Sequence, residues 1–174
     1  MQKLTLGFLS LILFSAANAQ GKPELDLYLA NKGISKAAKD YYQGKFKAED
    51  NNRAFSILDS IKTNNAHNRQ FYLYLATQMM RKSDGALSEE LGVRTKAYLE
   101  QYPNWALAFL QGKLADTSFN GLWAKIIAGE INIDCEGNEK HCASEWYREA
   151  LKRTSTKYQS ALKTLYKQVA AQCP

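Results

Sequence analysis

The sequence has little of what usually builds metal sites or breaks regular structure: 2 histidines and 3 prolines in 174 residues. Scarce proline excludes a proline-rich linker. The chain also lacks His-Glu-x-x-His, Gly-x-Ser-x-Gly and any glycine-rich phosphate-binding loop. His141 and Cys142 are adjacent in sequence rather than placed across a cleft, which argues against a Cys–His nucleophile. We therefore predict no catalytic residue, no metal and no cofactor.

Long runs of like charge are also missing. Lysine and arginine number 23 against 17 aspartate and glutamate, a formal net charge of +6, but the basic residues are scattered. No run of the kind that marks a nucleic-acid arm is present, so we predict no nucleic-acid partner. The mild positive excess instead favours attraction to an anionic envelope surface or to an acidic protein.

The first residues follow the three-part pattern of a secretory signal peptide. A short positively charged start precedes the apolar stretch Leu4–Ser15, and Ala17-Asn18-Ala19 matches the small-x-small cleavage pattern. We predict a signal peptide over residues 1–19, with cleavage before Gln20. Residues 20–174 would then form one exported domain, periplasmic or secreted, without a transmembrane segment.

Three cysteines occur, at positions 135, 142 and 173. In an oxidising compartment two of them are expected to pair. Cys135 and Cys142 flank a short polar loop and form the favoured disulfide, while the alternative joins one of them to Cys173. Either pairing leaves one thiol free.

The stretch from Gln70 to Leu110 predicts three consecutive helices. Phe71–Arg81 is apolar on nearly every side, which is typical of a buried helix. Ser83-Asp84-Gly85 predicts the first break. Pro103 predicts the second, with Asn104 as the cap of a helix that opens at Trp105.

The flanking segments also predict helices. Ser35 is expected to cap a short helix, and Ser144 is expected to cap a long final helix that the polar run Thr154-Ser155-Thr156 kinks or breaks. Ile131-Asn132-Ile133 suggests a short extended segment. Because no segment shows sustained alternation of apolar and polar residues, the predicted fold is all-α: an irregular stack of antiparallel helical hairpins with about seven or eight helices.

Two segments carry a family resemblance. Tyr41-Tyr42-Gln43-Gly44-Lys45-Phe46-Lys47-Ala48 resembles the corner between the two helices of a tetratricopeptide repeat, shortened by one residue. The segment 97–109, with Pro103-Asn104 inside it, resembles the junction between two repeats. The resemblance covers about residues 35–115, although the family's Trp-Leu-Gly signature is missing and no 34-residue period fits. It implies stacked helical hairpins and binding of a protein segment in a groove.

The loop that contains Cys135 and Cys142 has part of the residue pattern of a calcium-binding loop. Asp134, Glu136, Asn138 and Glu145 occupy the first, third, fifth and twelfth positions of an EF-hand-like loop. The sixth position, where that loop requires glycine, is Glu139. A solvated connector braced by a disulfide is therefore the favoured interpretation.

Aromatic residues supply the candidate binding positions. Tyrosine and tryptophan are favoured anchors of protein interfaces, and Tyr74 and Tyr102 fall off the main apolar stripes. We predict a partner-binding groove formed by four residues: Tyr74, Tyr98, Tyr102 and Trp105.

These features favour an exported, non-enzymatic helical protein that binds another protein, either as an envelope adaptor or as an inhibitor or immunity protein. The alternative is a cell-envelope hydrolase whose acid and base are carboxylates from separate helices.

Overall fold

The computed structural model describes residues 23–49, 51–83 and 85–174. The predicted signal peptide lies outside the described residues. Within them every regular element is helical and no strand is present, which confirms the all-α class. The described part contains nine α-helices, more than the seven or eight expected: α1 (Pro23–Ala30), α2 (Lys36–Tyr42), α3 (Asn52–Asp59), α4 (Ala66–Met80), α5 (Gly85–Gln101), α6 (Pro103–Leu110), α7 (Ser118–Asp134), α8 (Glu139–Arg153) and α9 (Thr156–Ala170).

Helix α4 is the central helix, as its composition predicts. Its side chains are buried on every side, and they join the buried residues of the other eight helices in one continuous apolar cluster. A short 3₁₀ turn, Ser60–Lys62, precedes α4. None of the described helices combines the length and the apolar character needed to cross a membrane.

One buried hydrogen-bond chain joins α4 to α7. The indole Nε1–H of Trp123 donates to Thr77 Oγ1 at 2.9 Å, and that hydroxyl donates to the carbonyl of Leu73 at 2.8 Å. Thr77 is 0% exposed and Trp123 is 1% exposed. Every polar side-chain atom in this series of hydrogen bonds therefore has a partner, which offsets the free-energy cost of burying it.

Several predicted helix boundaries are confirmed. The Ser35 hydroxyl accepts from the Ala38 amide at the start of α2. The chain breaks between α4 and α5, where Gly85 has a positive φ of 51° that favours glycine. It breaks again at Thr154 and Ser155, so that α8 and α9 are separate helices.

The prediction that Asn104 caps a helix opening at Trp105 is wrong. Helix α6 begins at Pro103 with Tyr102 in the N-cap position, because proline is well tolerated at the first helical position. The Asn104 side chain instead reaches α9, where its Oδ1 accepts from the amide of Ser155 at 2.8 Å and from its hydroxyl at 2.9 Å. Asn104 therefore ties α6 to the α8–α9 corner.

Two predictions around the cysteine loop are also wrong. Ile131-Asn132-Ile133 is helical, because Ile131 continues the buried face of α7 and packing overrides the strand preference of isoleucine. Ser144 lies inside α8, which begins at Glu139 with Asn138 as the N-cap residue. An acidic residue in the first turn suits the helix dipole, so α8 starts earlier than predicted.

Helices α5 and α7 run parallel to each other. Lys96 of α5 is paired with Asp134 of α7, and one turn earlier Gly92 meets Glu130. A Cβ on Gly92 would lie 2.6 Å from the Glu130 carboxylate, so glycine permits this close approach. The pairing places the C-terminal ends of both helices beside α8.

Asp40 in α2 is a buried carboxylate surrounded by three cations. It accepts from Lys36 Nζ at 2.6 Å and from Arg53 Nη2 at 3.1 Å, and Lys45 Nζ lies 3.6 Å away. The hydrogen bond from Lys36, together with the three positive charges, lowers the pKa of Asp40 below its usual value despite the opposing effect of burial. The charged form of Asp40 is therefore stabilised in the folded protein.

Replacing Asp40 with asparagine should lower the free energy of unfolding at neutral pH. A carboxyl group whose pKa is lower in the folded state stabilises the fold above its unfolded-state pKa, and this contribution disappears as the pH falls through its folded-state pKa. The stability gap between wild type and Asp40→Asn should therefore be largest near neutral pH and close in strong acid. Urea unfolding followed by circular dichroism across a pH series measures this gap.

The matched control is Glu136→Gln, which removes a carboxylate from an exposed loop position. It should leave the free energy of unfolding almost unchanged at every pH. An Asp40→Asn gap of constant size across the series would contradict the electrostatic explanation.

Candidate functional site

A cleft with a volume of about 400 Å³ opens between α5, α7 and α8. This α5–α7–α8 cleft falls within the usual size of ligand-binding sites. Its charged lining consists of four carboxylates and two cations, and two of the carboxylates pair with further cations just outside the lining. The charged residues are Glu100, Asp134, Glu145, Glu149, Lys96 and Arg153.

Lys96 is shared by two carboxylates. Its Nζ lies 3.1 Å from Asp134 Oδ2 and 3.7 Å from Glu100 Oε1. Burial opposes the charged amine, but the hydrogen bond to Asp134 and the charges of Glu100, Asp134 and Glu130 raise the pKa of Lys96 above its usual value. The neighbouring carboxylates therefore favour the charged form of Lys96.

Glu130 lies one turn before Asp134. Burial raises the pKa of Glu130, and the nearby charges of Asp134 and Glu89 raise it further, whereas Lys96 acts in the opposite direction. Burial is the largest of these causes, as expected of a carboxyl group removed from water.

The α8 wall carries the other two carboxylates. Glu145 and Glu149 are four residues apart and lie one turn apart along α8. Glu145 pairs with Arg148, and Glu149 pairs with Lys152 at 2.6 Å, so their cationic partners come from α8 itself. Arg153 donates a guanidinium N–H to the main-chain carbonyl of Glu100 at 3.1 Å. This hydrogen bond holds α8 against the end of α5.

Trp146 lines the cleft and carries an unpaired hydrogen-bond donor. The residue is 4% exposed, and its indole Nε1–H has no acceptor among the described residues. The Nε1 atom itself has less than 1 Å² of accessible surface. Trp123, the comparable buried tryptophan, has its Nε1–H satisfied by Thr77. An unsatisfied buried donor costs about 1–3 kcal/mol.

The Cys135–Cys142 disulfide forms one end of the cleft. The two Cα atoms are 6.4 Å apart, and this pairing is the one favoured from sequence. Cys173 is the free cysteine and is buried. Burial, with the charge of Glu139 nearby, raises the pKa of the Cys173 thiol and so disfavours its reactive thiolate form.

Two of the groups that an EF-hand would direct at calcium have cationic partners in this protein. Asp134 pairs with Lys96, and Glu145 pairs with Arg148. Among the described residues, no group of three or more His, Cys, Asp or Glu side chains is arranged to hold a metal ion.

Three of the four predicted binding aromatics form a single stack. The rings of Tyr102 and Trp105 lie parallel at 4.7 Å, and Tyr98 lies 5.4 Å from Tyr102. The Arg69 guanidinium covers Trp105, 3.4 Å from the ring centroid, while donating to the carbonyls of Thr63 and Asn64.

This stack leaves little ring surface for a partner. Arg69 and Tyr102 are both stacked on Trp105, and Tyr98 is fully buried. Tyr102 and Trp105 are half-buried, so contact with a partner would have to involve their remaining exposed edges. That they bind a partner stays a prediction.

Tyr74 lies apart from the other three. It is half-buried on α4, and its ring lies 6.1 Å from that of Phe119. Burial raises the pKa of Tyr74, and Asp116 raises it further while Arg81 opposes the shift. The structure therefore does not bring the four predicted residues into one groove.

The sequence analysis missed the residues of the cleft as a site. One local signal was present: Glu145, Trp146 and Glu149 place an indole beside two carboxylates on adjacent turns of one helix. The remaining wall comes from α5 and α7, whose approach to α8 is set by long-range packing.

Searches against protein-family models, curated proteins and solved structures found no match to this chain. The resemblance to tetratricopeptide proteins therefore stays a prediction.

Two matched substitutions test whether the Trp146 N–H is unpaired. Trp123→Phe and Trp146→Phe remove the same atoms from buried side chains, but only the first breaks a hydrogen bond. We expect Trp123→Phe to lower the free energy of unfolding by at least about 1 kcal/mol more than Trp146→Phe. Urea unfolding measures both values, and equal losses would show that Trp146 already has a partner.

The disulfide should stabilise the α7–α8 corner. Replacing both Cys135 and Cys142 with serine should lower the free energy of unfolding by about 2 kcal/mol, since the bridge closes only a short loop. A reductant should destabilise the wild type by a similar amount and leave the double variant unchanged.

Thiol alkylation measured by mass spectrometry provides the control for the remaining cysteine. Cys173 should be protected in the native protein and modified once the chain is unfolded. Rapid modification of native Cys173 would contradict its burial.

Proposed function

We propose that this chain is an exported, non-enzymatic helical protein that binds another protein, either as an envelope adaptor or as an inhibitor or immunity protein, and that the α5–α7–α8 cleft contacts the partner. The observation that carries the proposal is the α5–α7–α8 cleft, in which charged side chains lie beside the buried Trp146. Such a lining has charged groups with which to recognise a partner.

Export is supported by two independent features. The pattern at residues 1–19 is that of a signal peptide. The bond between Cys135 and Cys142 is of a kind that persists in oxidising compartments and is rare where thiols are kept reduced.

The carboxylates of the cleft do not favour the hydrolase alternative. A glycoside hydrolase needs one carboxyl group that stays protonated to act as general acid. Each of the four cleft carboxylates has a cationic neighbour within 4 Å: Lys96 for Glu100 and Asp134, Arg148 for Glu145, and Lys152 for Glu149. The hydrogen bond from Lys152 lowers the pKa of Glu149 and so favours its ionised form.

The proposal is tested by comparing how much partner protein the wild type and its cleft variants capture. The full chain, expressed in its native cells with an affinity tag after the exposed residue Pro174, should recover a stoichiometric protein from the cell envelope. The double variant Glu145→Gln/Glu149→Gln should recover at least about tenfold less, because charge pairs at an interface contribute more than 1.4 kcal/mol when desolvated.

Glu49→Gln is the matched control, since Glu49 is exposed in the α2–α3 loop, outside the cleft. It should retain capture. A partner recovered equally well by the cleft variant would place binding elsewhere on the surface, and recovery of no stoichiometric protein would refute the proposed function.

A further inference from the structure

The last part of the chain carries positive charge without negative charge. Residues 150–174 contain no aspartate or glutamate, and their five cations are Lys152, Arg153, Lys157, Lys163 and Lys167. The formal net charge of the whole chain is +6, so the rest of the chain is close to neutral. A basic imbalance concentrated in one segment favours an anionic partner.

The helical period gathers three of these lysines on one face of α9. Lys157, Lys163 and Lys167 are exposed, and at about 100° per residue they fall within an arc of about 120°. The opposite face is apolar and buried in the core, through Leu162, Leu165 and Val169. The apolar side of α9 is therefore used within the fold, and its basic side, the α9 lysine face, lies toward solvent.

The α9 lysine face has no acidic neighbour to neutralise it. None of its three lysines forms an ion pair with any residue that the structure describes, whereas Lys152, just before α9, pairs with Glu149 at 2.6 Å. The Nζ atom of Lys157 lies 5.0 Å from the centroid of the Tyr158 ring, a contact that leaves its charge in place. Three positive charges are therefore available to an anionic surface.

The composition of this face favours a bilayer over a folded protein as the partner. The other exposed side chains within α9 are small or polar and uncharged: Thr156, Gln159, Ser160 and Thr164. The binding energy of a protein interface is usually concentrated in tryptophan, tyrosine or arginine anchors, and this exposed set includes none of them. Lysine acts as a point charge that attracts anions without fixing their geometry, which suits a layer of lipid phosphates.

We propose that the α9 lysine face adsorbs to a bilayer that contains anionic phospholipids, with α9 lying along the membrane surface. Lys157 and Lys167 are ten residues apart, about 15 Å along the helix axis, so the face presents an extended array of charge. The attraction is electrostatic and acts at the level of the headgroups, because the apolar side of α9 is buried in the fold. This inference goes beyond the proposed function and does not involve the α5–α7–α8 cleft, whose lining comes from other helices.

Sedimentation with lipid vesicles tests the proposal. Protein expressed from the full chain is mixed with vesicles of phosphatidylglycerol and phosphatidylcholine in equal parts, or with vesicles of phosphatidylcholine alone. We expect binding to the anionic vesicles to exceed binding to the neutral vesicles at least about tenfold at about 0.1 M salt. The difference should disappear at about 1 M salt, where charges are screened within about 3 Å.

Two triple variants with the same change in net charge locate the binding face. Replacing the three lysines of the α9 lysine face with glutamine should weaken binding to anionic vesicles at least about tenfold. The matched control replaces three exposed lysines outside α9 with glutamine, at Lys32, Lys47 and Lys82, and should bind like the wild type. Circular dichroism confirms that both variants are folded.

Three outcomes would overturn the inference. The first is equal binding to anionic and neutral vesicles, and the second is equal weakening by the two triple variants, which would mean that net charge alone matters. The third is binding of poly-glutamate, but not of anionic vesicles, through the α9 lysine face, which would assign the face to an acidic polypeptide. Capture of a protein through the cleft does not use these lysines, so none of these results bears on the proposed function.

Discussion

The hydrogen bond between Trp123 and Thr77 fixes how α7 lies against α4, and the cleft depends on that placement. Both side chains are buried, so rotating α7 about its axis would leave the Trp123 Nε1–H unpaired in the core. Asp134 lies about three turns further along α7 and therefore points in nearly the same direction as Trp123. Setting the rotation of α7 at Trp123 thus also sets the Asp134 carboxylate beside Lys96.

The two buried tryptophans differ in the pairing of their indole N–H groups. Trp123 lies between helices and its Nε1–H is satisfied, as expected of a polar group that maintains packing. Trp146 lies at the cleft wall and retains an unpaired donor, as does the hydroxyl of Tyr98 in the core. Each unpaired group opposes folding by an amount comparable to a net hydrogen bond.

The sequence was sufficient to predict features set by local chemistry. The Ser35 cap, the break at Thr154 and Ser155, and the Cys135–Cys142 bridge all depend on residues close together in the chain. The sequence was insufficient where packing between residues far apart in the chain determines the local structure. Ile131 is helical because of packing against its neighbours, despite its preference for strands.

The cleft could not have been predicted for the same reason. Lys96 meets Asp134 across 38 residues, and Arg153 meets the carbonyl of Glu100 across 53. No local sequence pattern predicts either contact. Periodicity identifies which residues face a neighbouring helix, but it does not say which neighbour they meet. Of the four aromatics chosen from sequence, three lie together, whereas Tyr74 contacts Phe119 instead.

The aromatic stack and the cleft are nevertheless connected by a series of side-chain contacts. Arg69 and Tyr102 hold Trp105, and with it α6, in place. The neighbouring Asn104 accepts from Ser155 and donates to the carbonyl of Arg153, so α6 fixes the point at which α8 ends. Since Arg153 lines the cleft, the stack supports one of its walls from outside. Aromatic residues of a kind favoured as interface anchors act here on the shape of a cleft lined largely by charged side chains.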